Sequence, residues 1–133
     1  MKNLTKLFIA TLSFFTLSAY AAYAELQKVD NLEKMDVYLD KDSVHKTGDK
    51  VTFFLIFDFK SQEEMNGHKF KSIGSSFSGN CRTKEAKQTV FNLYNGNMAG
   101  EGMTLSNPSE KPMSFGVPPN LIEKYLGIAC SSN

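Results

Sequence analysis

The sequence predicts an α+β domain, with about six antiparallel strands followed by one C-terminal helix tied to the sheet by a disulfide. Three observations predict it. Val51, Phe53, Leu55, Phe57 and Phe59 recur at every second residue, the period of a strand with one buried face. Near the C-terminus, Leu121, Tyr125 and Ile128, with Ile122 and Ala129 beside them, form a stripe at helical spacing. Between and around them, Gly, Asn, Asp and Pro clusters cut the chain into short runs joined by turns.

The chain has 133 residues, enough for one domain with a core of its own. Aromatic residues make up 12%, which argues against disorder. A formal charge of +1 argues against a nucleic-acid protein, which carries a basic excess.

Residues 1–24 read as a secretory signal peptide. Lys2 and Lys6 supply the positive start, and Leu7 to Leu17 is an apolar run interrupted by Thr11, Ser13 and Thr16. Ala22-Tyr23-Ala24 is a small-x-small cleavage site, which predicts cleavage after Ala24 and a mature domain over residues 25–133. Ala19-Tyr20-Ala21 is the competing site. The apolar run is short for a membrane span, and no later segment reaches the required length of about 20 apolar residues. Cleavage would remove two lysines and no acid, taking the net charge from +1 to −1. Cys81 and Cys130 are the two cysteines, both in the exported part. An oxidising compartment and an even count favour a structural disulfide over two free thiols, and their distance from C-x-x-C spacing disfavours a redox pair.

Taken in order, Leu26 to Val29 and Met35 to Leu39 are the first strands, with turns at Asp40-Lys41-Asp42-Ser43 and Thr47-Gly48-Asp49. Val51 to Phe59 is the central strand, and Ser61 to Gly67 a polar connection. His68 to Ser78 is a long strand in which Phe70 and Phe77 differ in parity, so a break is expected, with Gly74 as its site. Gly79-Asn80 ends it. Ala86 to Tyr94 follows, and Asn95-Gly96 is a tight-turn signal with Met98 to Leu105 as its partner strand. Asn107-Pro108-Ser109 reads as a loop and Met113 to Val117 as a last short strand. Pro118 or Pro119 opens the helix, with Asn120 the competing cap.

No catalytic or cofactor constellation stands out. His45 and His68 lack zinc-ligand spacing. Asp40-x-Asp42 lacks the remainder of a calcium loop, since Val44 and His45 stand where the third ligand and the glycine belong. No G-x-S-x-G occurs, and Gly96, Gly100 and Gly102 do not match a dinucleotide loop. The suggestive polar set is basic. Lys69 and Lys71 share one strand face, and Arg82, Lys84 and Lys87 follow Cys81. If the strands pair, these five form a patch for an acidic partner. The competing account is a solvated strand edge that resists aggregation.

Phe54 and Ile56 make the central strand apolar on its second face as well. One helix covers one face, so the other must be covered by sheet curvature, by the long connections or by another subunit.

The ordered elements of the chain resemble the bacterial surface-adhesin E family. They are Tyr38-Leu39-Asp40-Lys41-Asp42-Ser43-Val44, then Gly48-Asp49-Lys50-Val51, then Phe70-Lys71-Ser72, and nine residues later Cys81 with basic residues after it. Met98 and Gly102 follow, then Phe115-Gly116-Val117-Pro118-Pro119 leading into a helix that ends at Ala129-Cys130. The resemblance implies a six-stranded antiparallel sheet with a C-terminal helix, joined by a Cys81–Cys130 disulfide. It implies a non-catalytic exported protein without cofactors. The founding adhesin is a surface lipoprotein that binds laminin, vitronectin and plasminogen and can dimerise. The chain departs from that pattern in having no lipid-anchor cysteine after the leader and no tryptophan, with Phe115 where relatives often carry one. The expectation is therefore a periplasmic or secreted binding protein, with an envelope-stress or structural role as the alternative.

Overall fold

The alternation of Val51 to Phe59 places all five odd-numbered side chains towards one face, and that face is the core. Val51, Phe53, Leu55 and Phe57 are buried and Phe59 packs against them. The computed structural model describes residues 25–100, 102–108 and 118–132. Its elements are β1 (Leu26–Asn31), β2 (Met35–Thr47), β3 (Lys50–Met65), β4 (His68–Asn80), β5 (Glu85–Tyr94), a 3-10 turn at Asn97–Ala99, β6 (Met103–Pro108) and α1 (Pro119–Ser131). The strands form one antiparallel sheet in the order β1-β2-β3-β4-β5-β6.

Helix α1 covers the core face through Tyr125, Leu126 and Ala129, with Leu121, Ile122 and Ile128 partly buried around them. Pro118 is its cap and Pro119 its first residue, so Asn120 is not the cap. That choice suits proline, which has no N–H to leave unsatisfied there. Aromatic rings knit the two layers together. Phe53 stacks on its cross-strand partner Phe77 within the sheet at 5.4 Å, and Phe57 meets Tyr125 of the helix edge-on at 6.4 Å. A Cβ on Gly79 would lie 2.5 Å from Leu126 Cδ1, so glycine is what lets the helix approach β4.

Several expectations need correction. The chain does not reverse at Asp40–Ser43. β2 runs on to Thr47 with a register shift between Asp40 and His45. The turn-forming side chains satisfy the backbone inside that bulge. Asp40 Oδ1 accepts from Asp42 N at 3.0 Å, while the Ser43 hydroxyl donates to Asp40 O at 2.6 Å and accepts from Phe54 N at 2.8 Å. Ser61 to Gly67 is likewise mostly strand. β3 extends to Met65, and Asn66 (φ 49°) and Gly67 (φ 81°) make the turn.

Gly74 is not the break in β4, since it pairs in register with Ile56 and with Asn92. The parity of Phe70 and Phe77 changes at Ser72 and Ile73, which are both buried, opposite the register shift of β3 between Asp58 and Glu63. Asn95-Gly96 does not make a two-residue hairpin. A longer connection that holds the 3-10 turn joins β5 to β6, Met98 lies in that turn, and β6 starts at Met103. Asn107 and Pro108 belong to β6. Ser109 and the strand expected at Met113 to Val117 lie outside the described residues.

Candidate functional site

The C-terminal end of the helix and the turns after β2 and β4 meet at one end of the sheet. Cys81, just past β4, bonds to Cys130 in the last turn of α1, with their Cα atoms 5.8 Å apart. Around this bond the backbone is closely held. Cys81 N donates to Asp49 O at 2.7 Å in the β2–β3 turn. Asn80 Oδ1 accepts from Arg82 N at 2.9 Å and from Thr83 N at 3.0 Å. Lys46 Nζ donates to Cys130 O at 3.2 Å, a cation at the negative end of the helix dipole.

The basic residues singled out from sequence divide into two groups. Arg82, Lys84 and Lys87 stand at the disulfide end, all exposed, with Arg82 Nε 3.2 Å from Asp49 Oδ2. Lys69 and Lys71 do share one exposed side of β4, but they lie at its other end, where Lys69 pairs across from Glu64. At about 3.3 Å per residue, Lys71 is about 30 Å from Asn80. The five therefore do not form one patch. Two cations passed over in the sequence, Lys46 and Lys50, stand instead beside Arg82, Lys84 and Lys87. The signal for them was the Thr47-Gly48-Asp49 turn, which returns the chain beside the segment that contains Cys81.

On the face away from the helix, the chain covers part of its own apolar surface. A Cβ at Gly74 would lie 2.6 Å from Phe54 Cζ and 3.0 Å from Tyr94 Cε2, so both rings lie over the glycine. Beyond them, the connection after β5 folds back onto the sheet. Ser72 Oγ donates to Gly96 O at 2.6 Å and accepts from Ala99 N at 2.9 Å, and Asp58 Oδ1 accepts from Met98 N at 2.8 Å. Ile56 is buried at 5% exposure, whereas Tyr38, Phe54, Val90 and Tyr94 remain half-exposed. Of the three covers considered from sequence, long connections account for part of this face.

Residues 24–131 match the family model described as Surface-adhesin protein E. The chain belongs to the surface-adhesin E family. No curated protein and no solved structure matches it. In this surface-adhesin E domain an open groove of about 710 Å³ runs between the β1–β2 edge and α1, lined by Glu25, Lys41, Asp42, Lys124 and Ile128 among others. The serines on its helix side are engaged, since Ser131 and Ser132 donate to Gly127 O and Ile128 O at 2.9 Å each. Among the described residues, no helix is long and apolar enough to cross a membrane, and no group of three or more His, Cys, Asp or Glu is placed to hold a metal ion.

Proposed function

We propose that this surface-adhesin E protein is an exported, non-catalytic binding protein whose ligands are host extracellular-matrix or plasma proteins, with laminin, vitronectin and plasminogen as the first to test. The family match across residues 24–131 carries this reading. The leader over residues 1–24, with cleavage after Ala24, supplies the route out of the cytoplasm. Adhesion needs a presented surface rather than an enclosed reactive centre, and a disulfide-stapled sheet suits an oxidising exterior. Solid-phase binding of the mature protein to immobilised laminin, vitronectin and plasminogen tests the ligand. Protease accessibility on intact cells tests display. A protein shielded from protease that binds none of the three would instead be a periplasmic structural component.

Self-association belongs to the same reading. The half-exposed band of Tyr38, Phe54, Val90 and Tyr94 is the surface on which a second copy would sit, and the resemblance to a dimerising adhesin supports it. Light scattering across micromolar concentrations should give a dimer mass, and Phe54→Ser should lower it. A monomer mass throughout removes the idea.

A further inference from the structure

The disulfide end of the sheet concentrates positive charge. Among the described residues, Lys46, Lys50, Arg82, Lys84 and Lys87 face only the acids Asp49 and Glu85 there, and all seven are exposed. The β1–β2 edge carries the opposite excess. By a narrow margin, Glu25, Asp30, Glu33, Asp36, Asp40 and Asp42 outnumber Lys28, Lys34 and Lys41 together with Lys60 and Lys124, which reach Leu32 O and Asp30 Oδ2 there. The molecule is therefore polarised, and a polyanion approaching it is steered to the disulfide end. We infer that this tip is a binding site for a linear sulfated polysaccharide, an inference that rests on the proposed role as an exported binding protein.

Four observations favour that ligand. First, the cations stand on a platform that is already fixed. The Cys81–Cys130 bond, the Cys81 to Asp49 backbone bond, the two bonds to Asn80 Oδ1 and the Lys46 bond to Cys130 O hold both turns and the helix end together. Little order remains to be imposed on binding. Second, Lys84 sits at φ 63°, a left-handed conformation that suits glycine or asparagine. Strained backbone of this kind collects at functional sites, and here it lies at the last residue of the turn, directly before β5.

Third, Lys50 and Lys87 both lie on the face away from the helix. Lys50 pairs with Asn80, and Lys87 with Ser78 two residues along. Two strand spacings across and two residues along put their backbones about 12 Å apart, a spread suited to a chain of repeated anions rather than to one phosphate. Fourth, the exposed residues of the two turns, His45 to Lys50 and Arg82 to Glu85, include no apolar side chain. A membrane surface would find nothing there to take into its acyl boundary. Thr47 and Thr83 offer hydroxyls instead, which suit a hydroxyl-rich sugar.

The test is retention of the mature protein on heparin, with affinity followed against salt. Wild-type protein should bind. Lys50→Gln, Lys84→Gln and Lys87→Gln together should weaken binding at least tenfold and flatten its salt dependence. Lys69→Gln with Lys71→Gln removes two positive charges at the other end of β4 and should leave both unchanged. Lys84→Gly separates recognition from folding, because it should hold or raise the thermal midpoint while lowering affinity. Absence of wild-type retention at low salt overturns the inference, as do equal losses in the tip and control variants. Binding to anionic lipid vesicles without binding to heparin also overturns it. Loss of the heparin site with laminin or vitronectin binding intact would remove the tip alone. Failure of every ligand would remove the binding-protein reading itself.

Discussion

Tyr125 and Asp30, 95 residues apart in the chain, meet through a hydrogen bond of 2.9 Å from the tyrosine hydroxyl to Asp30 Oδ2. Lys124 Nζ reaches the same oxygen at 3.1 Å. Helix α1 is thus fastened to the edge strand β1, at a site that the disulfide does not reach. The rest of Tyr125 is buried against Phe57, so Tyr125→Phe keeps the packing and removes the bond. The expected loss is about 1–2 kcal/mol, the range for a hydrogen bond to a partly screened charge, read from urea unfolding.

The same pair makes stability fall at both ends of the pH scale. Burial works to raise the carboxyl pKa of Asp30, but bonds from Lys124, Tyr125 and the Asn31 N–H outweigh it and hold the value below 3.8. A lowered folded value means the contribution is present above the unfolded pKa and lost as pH falls through the folded one. Tyr125 shifts the other way. Burial raises its pKa above 10.0, and the neighbouring Asp30 carboxylate raises it further. Its contribution is present below pH 10 and lost as pH rises beyond it. Thermal midpoints measured from pH 2 to pH 11 should show both declines. Asp30→Asn should flatten the acid limb and Tyr125→Phe the alkaline one.

Two glycines of β4 should respond differently to alanine. At Gly79 the new methyl meets Leu126 Cδ1 at 2.5 Å and Glu85 O at 3.2 Å. Leu126 is fully buried, so its side chain must repack or the helix must shift. Gly79→Ala should cost about 1–3 kcal/mol, the usual range for overpacking. At Gly74 the methyl meets Phe54 and Tyr94, half-exposed rings that can swing outward. Gly74→Ala should cost less and expose Phe54. Chemical denaturation ranks the two, and dye binding to exposed apolar surface distinguishes their causes.

Cys130→Ser removes a cross-link between residues 49 apart. The chain-entropy model gives about 4 kcal/mol for a loop of that size, a large share of a small domain's stability. Unreduced native protein should take up no thiol reagent by intact-mass spectrometry. The serine variant should show early hydrogen exchange in α1, while the paired strands at the centre of the sheet stay protected.

Where one face of an element meets the core, the sequence was readable. The odd-numbered run from Val51 to Phe59 and the stripe around Tyr125 are buried as their periods require. The helix start was legible because proline suits only the first turn. Local turn chemistry was less decisive, since the same residues serve other ends. The chain has two Asn-Gly pairs, and the hairpin uses Asn66-Gly67 rather than Asn95-Gly96. Gly96 is extended, with φ −99°, because the connection after it must fold back over Ser72 and Asp58. Asp40 to Ser43 spend their side-chain bonds on a bulge in place of a turn. The basic patch failed as a set because nearness along the sequence ignores strand length. A strand of 13 residues carries Lys69 and Lys71 far from Arg82, and only the sheet register shows that Lys46 and Lys50 replace them.

The strands stand in the sheet in the order in which they occur in the chain. Each strand therefore finds its partner already present when it emerges, and hairpins can add one at a time with small loop-closure costs. Helix α1 is different, because its partners are complete long before it is made. Cys81 must wait for Cys130, and through that interval its thiol is unpaired. The chain has no third cysteine, so no wrong internal bond can form. The characteristic error of this fold is a covalent link to another molecule, captured before the helix arrives to close the loop.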